Sequence, residues 1–189
     1  MTTTDQKSRL HEYLRFAREA MLWKLEGLSE YDVRRPLTPT GTNLLGLIKH
    51  LTLIEGGYFG DTFGRPFPEE LPFGKDDTEK NWATADESRD ELVDLYRRVI
   101  GHADATIDAL ELDSTGSVPW WGENEVTLFG ILVHVLAEVN RHAGHADILR
   151  EGLDGAAGLL AGNSNMMQHD EQWWKDHHAR IQQAADTFR

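Results

Sequence analysis

Apolar residues return at three- and four-residue steps in five stretches of the chain, and each stretch predicts an amphipathic helix. In the first, about Thr4 to Leu28, the buried stripe is Leu10, Leu14, Ala17, Met21, Leu25 and Leu28. A polar loop, SEYDVRRPLTPTGTN, follows, and Thr42 or Asn43 can cap the next helix. That helix carries Leu44, Leu47, Ile48, Leu51, Glu55 and Tyr58 on one face and ends near Phe63-Gly64. Pro66, Pro68, Pro72 and Gly74 mark Arg65 to Thr84 as a crossover loop. The third helix opens at Ala85 or Asp86 and runs through Leu92, Tyr96, Val99, Ala103, Ile107 and Leu110. A loop with adjacent Trp120 and Trp121 leads to Thr127 and a long fourth helix, Leu128 to Glu151, stopped by Gly152. A last helix, Gln168 to Thr187, has a face of Trp173, Trp174, His177, Ile181 and Phe188 that can dock on the others. Strand signals are weak. The pattern predicts an all-α, single-domain four-helix bundle over 1–189 with an additional C-terminal helix.

Two polar residues interrupt the apolar stripe of the fourth helix. At about 100° per residue, Glu138 and His142 point into the face formed by Leu128, Ile131, Leu132, Val135, Val139, Ala146 and Leu149. A carboxylate and an imidazole turned toward a core are costly unless something pairs with them. A divalent cation would compensate both, and bundles build such sites from facing helices. His50, at the edge of the second helix's stripe, is the best third ligand. The plainer alternative is that Glu138 and His142 bond each other and His50 is an ordinary core-edge histidine. His134 and His145 fall nearer the edge of the fourth helix and are candidates to orient a ligand or relay a proton, or are simply surface residues. Glu55 could orient His50, or sit in a buried ion pair. Trp120, Trp121 and the Arg65–Thr84 loop are candidates to border a cofactor or substrate pocket.

Composition narrows the chemistry. Of 189 residues none is cysteine, so disulfides, thiolate ligands and a cysteine nucleophile are excluded. Any reacting thiol must arrive with a substrate. Lys plus Arg total 19 against 32 Asp plus Glu, a net charge of −13, which disfavours nucleic acid. No apolar run is long enough to span a membrane. The polar N-terminus lacks a signal core, which leads us to expect a cytoplasmic protein.

The fragments GLSEYDVRRPLTPTGTNLLGLIKHLTLIEGGYF and LVHVLAEVNRHAGHADILREGLDGAAG resemble the DinB/YfiT-like superfamily, in particular its actinobacterial branch related to the mini-circle protein. The resemblance runs from the first helix to about Gly158, and the tryptophan-bearing C-terminal helix also fits that branch. It implies a four-helix bundle with a divalent metal on one His of the second helix and a His-x-x-x-His pair on the fourth. Here these positions hold His50, Glu138 and His142. That His, Glu, His set is similar to the zinc site of mycothiol-dependent maleylpyruvate isomerases. Phe129 stands where close relatives are expected to carry an Arg.

The resemblance therefore implies a metal-dependent small-molecule enzyme, a thiol S-transferase using mycothiol or a similar low-molecular-weight thiol. Zinc is the expected ion, with nickel, iron and manganese as competitors, and a two-fold homodimer is the expected assembly. A hydrolase using metal-bound water and a non-catalytic metal-binding stress protein are the alternatives.

Overall fold

A computed structural model of the chain describes residues 3–69, 71, 81–122 and 125–189. Four long helices make the bundle: α1 (Thr3–Trp23), α3 (Leu44–Glu55), α4 (Arg89–Ala109) and α5 (Leu128–Asp154). A short α2 (Glu30–Arg34) and a C-terminal α6 (Glu171–Asp186) complete the α-helices among the described residues. α1 packs along α5, α3 along α4, and α3 also lies against α5. The stripes meet in one core that includes Leu14, Met21, Ile48, Leu51, Tyr96, Val99, Ile107, Ile131, Val135 and Val139.

Caps set the helix starts. Asn43 Oδ1 accepts from Gly46 N at 2.8 Å, so Asn43 and not Thr42 begins α3. Thr127 Oγ1 accepts from Gly130 N and opens α5. Ser88 caps α4, which starts later than Ala85 or Asp86 because Thr84 N turns back to the Glu87 carboxylate.

Several sequence expectations need correction. The first helix closes at Trp23, short of Leu28, where Arg150 Nη1 donates to the carbonyls of Lys24 and Glu26 and satisfies its open C-terminal end. The presumed loop beyond it contains α2, which Ser29 caps and an Arg34–Glu30 pair one turn apart supports. The fourth helix passes through Gly152 and stops at Gly155, whose φ of 77° is the left-handed turn that glycine accepts most readily. Two short antiparallel strands, β1 (Thr115–Ser117) and β2 (Glu125–Thr127), form where no strand was expected. α6 offers no buried residue. Its rings pack largely on one another and on the preceding His169, which stacks on Trp173 at 3.6 Å, while Trp173 lies edge-on to Trp174. Of the crossover loop, residues 70 and 72–80 lie outside the described residues.

Near its C-terminal end α3 widens into a π turn, Gly56–Gly60, then a 3-10 turn, Asp61–Phe63, ended by Gly64 at φ 64°. The π turn has room for a neighbour: a Cβ on Gly57 would stand 2.7 Å from Cη2 of Trp120.

Candidate metal centre

α3 and α5 bring His50, Glu138 and His142 together. Each offers one ligand atom, and the three atoms lie within 4.8 Å of one another. Glu138 Oε1 stands 3.0 Å from His142 Nε2 and 3.5 Å from His50 Nε2. The two imidazoles meet edge to face at 4.8 Å. All three side chains are partly buried, at 14–26% exposure, so the group is reachable but mostly dry.

The electrostatics leave this group short of positive charge. Burial lowers the His142 pKa, and the neighbouring His50 lowers it further, outweighing the Glu138 carboxylate. For Glu138, burial pushes upward, but the hydrogen bond from His142 and the pull of both imidazoles hold the carboxyl below its ordinary value. At neutral pH the favoured state is therefore an ionised Glu138 beside a neutral His142. His142 Nδ1 is in addition buried with no hydrogen-bond partner among the described residues. Unpaired buried polar atoms are few in native proteins. One carboxylate and two imidazoles, one of them with an unpaired ring nitrogen, form a donor set that suits a divalent cation.

His50 and His142 of the triad line a cleft of about 690 Å³, with Glu138 beside them. His145 lines it from α5, one ring contact (5.4 Å) from His142. Thr42 and Asn43 contribute the wall before α3, and Asn81 and Trp82 the wall from the end of the crossover loop. That wall is anchored from below. Lys49, 2% exposed, pairs with Glu87 at 2.7 Å and donates to the Trp82 carbonyl at 3.1 Å. Arg34 donates to the carbonyls of Thr84 and Glu87. Gly46 lets the Asn81 carbonyl sit where a side chain would be, since a Cβ would lie 2.1 Å from that oxygen. Periodicity gave no hint of Lys49 or Gly46. Their one sequence signal was a lysine and a glycine inside a mostly apolar helix.

The remaining candidates divide. His134 does not reach the triad; it packs against Tyr58 at 4.7 Å and Trp121 at 4.9 Å. Trp120 and Trp121 do not line the cleft and gather instead on Tyr58. Glu55 does not orient His50. It is fully buried and bound by Arg18 through Nε at 2.9 Å and through Nη2, with Tyr96 Oη donating at 3.1 Å. Arg18 Nη1 also reaches Asp104 at 2.6 Å, and His11 Nε2 stands 2.7 Å from the same carboxylate. This network ties α1, α3 and α4 together on the side of α3 away from His50. Phe129, in the position expected to hold an Arg, is 49% exposed on the first turn of α5.

A helical bundle with a His, Glu, His cluster under an open cleft defines a class of candidate small-molecule metalloprotein. Residues 9–155 match the family model described as mycothiol-S-transferase, and the chain belongs to that family. This is a DinB/YfiT-like family, in agreement with the resemblance seen in the sequence fragments. No curated protein matches the chain. Family membership implies a small-molecule substrate and a thiol, and no helix among the described residues is long and apolar enough to cross a membrane.

Proposed function

We propose that this protein is a metal-dependent S-transferase that joins mycothiol, or a similar low-molecular-weight thiol, to a small electrophile. The observation that carries the reading is the convergence of His50, Glu138 and His142 within 4.8 Å, with both imidazoles lining the cleft. Membership of the mycothiol-S-transferase family supports the choice of thiol and of reaction. The absence of cysteine from the chain agrees with it, since the reacting sulfur then belongs to the co-substrate.

His50, Glu138 and His142 would hold the cation, with zinc our first choice for two imidazoles and one carboxylate. The bound cation supplies Lewis acidity that lowers the pKa of a thiol and favours the thiolate at neutral pH. The protein's own groups do the rest. Trp82, Asn81 and Thr42 border the space that receives the body of the thiol. His145, on the cleft wall beside His142, takes the thiol proton and passes it to solvent. The sulfur forms a bond to the electrophilic carbon as the leaving group departs with its bonding electrons.

The test supplies mycothiol and a bromobimane to zinc-loaded protein. Thioether should form faster than without protein, and His142→Ala should abolish the excess. Conjugation at the background rate with mycothiol and with other common small thiols would overturn the proposal.

A further inference from the structure

The four rings of Tyr58, Trp120, Trp121 and His134 are not used by the cleft, yet they adjoin the candidate metal centre. Tyr58 is the anchor, 5% exposed, with Trp120 at 5.1 Å, Trp121 at 5.5 Å and His134 at 4.7 Å, all edge to face. The two indoles remain 53% and 39% exposed. Trp120 is seated by the missing side chain of Gly57. Trp121 is held by its backbone bond to the carbonyl of buried Val118. Open aromatic surface on a fixed base is costly to leave wet, and planar ligands bind such surfaces.

Position gives the group its meaning. On α5, His134, Glu138 and His142 follow at four-residue steps on one face, so His134 is one turn, roughly 6 Å, from Glu138. On α3, His50 faces Glu138 and His142, and in the π turn that continues it Tyr58, eight residues further along, faces His134. The helices are thus antiparallel here. The cleft extends from His50 and His142 toward Asn43, Leu47 and His145, and the rings lie beyond the opposite end of the triad.

We propose that Tyr58, Trp120, Trp121 and His134 form the shelf that binds the electrophilic co-substrate through a planar, conjugated portion, while the thiol occupies the cleft. This rests on the transferase reading above. It makes Trp120 and Trp121 determinants of which electrophiles are accepted.

Two measurements test it separately. First, 2,4-dinitroaniline, a planar compound with no leaving group, is titrated into the full chain with chelator present and thiol absent, following tryptophan fluorescence. Saturable quenching is expected, weakened roughly three- to tenfold in affinity by Trp121→Leu and restored by Trp121→Phe. Second, kcat/KM is measured for a bromobimane and for iodoacetamide with the zinc-loaded protein. Trp121→Leu and Trp120→Leu should lower the preference for the bimane by a similar factor. Unsaturable quenching, equal binding by wild type and Trp121→Leu, or an equal change toward both electrophiles overturns the shelf. If no thiol is ever conjugated but dinitroaniline binding follows the tryptophans, the transferase reading fails and the aromatic site stands.

Discussion

Replacing Glu55 by Gln separates a structural carboxylate from a catalytic one. Glu55 has no exposed surface, and the guanidinium of Arg18 beside it is 2% exposed. Arg18 cannot escape by losing its proton. Burial alone would lower its pKa, but Glu55 and Asp104 hold it above the ordinary value. Tyr96 cannot take over the negative charge either, because burial and then the Glu55 carboxylate push its pKa well above 10.0. The amide of Gln keeps the volume, but it leaves Arg18 with one acceptor fewer and turns an N–H group toward its own N–H groups. Breaking one side of a buried ion pair costs roughly 3–5 kcal/mol. Asp104, 2.6 Å from Arg18 Nη1, retains part of the compensation and puts the expected loss near the lower end, about 3 kcal/mol. For a chain of this size that lowers Tm by roughly 6–12 °C. Urea unfolding of Glu55→Gln read by circular dichroism, with a double-mutant cycle against Asp104→Asn, measures both the loss and the coupling. The metal content of the folded variant should equal that of wild type. A loss below about 1 kcal/mol would show that the network does not carry the buried charge as described, and a loss of metal would return Glu55 to the site.

His142→Ala should reduce bound zinc from near one equivalent to under about a tenth, by elemental analysis after dialysis, because it removes one of the three proposed ligands. In acid, Asp104 should matter. Burial would raise its pKa, but the hydrogen bond from His11 and the charge of Arg18 lower it from 3.8 to about 2. The folded state thus favours the ionised form, which stabilises the protein above pH 3.8 and stops doing so as pH falls toward 2. The contribution is about 2 kcal/mol, seen as a steeper fall in urea midpoint between pH 5 and pH 2 for wild type than for Asp104→Asn. Gly46→Ala should push out the Asn81 carbonyl, at an overpacking cost of about 1–3 kcal/mol. Through the moved cleft wall it should raise KM for the thiol more than for the electrophile in steady-state assays.

The chain's own pattern determined the four long helices and two of the three ligand candidates. A 3.6-residue period reports which side of a helix is buried, so Glu138 and His142 stood out as polar residues on an apolar face. Helix ends were read less well. The stop at Gly155 in place of Gly152 depends on which glycine reaches the left-handed region, and the start at Arg89 depends on a loop turning back on Glu87. Only the tertiary structure decided what each polar residue faces. Glu55 and His50 sit five positions apart on one helix; one ends in a fully buried ion network with α1 and α4, the other beside α5. Trp120 and Trp121 left the cleft for Tyr58 because a π turn and Gly57 opened room there. Periodicity gives a direction relative to a helix's own axis. Which helix lies in that direction is set by how the four stripes pack on one another, and that depends on contacts between residues far apart in the chain.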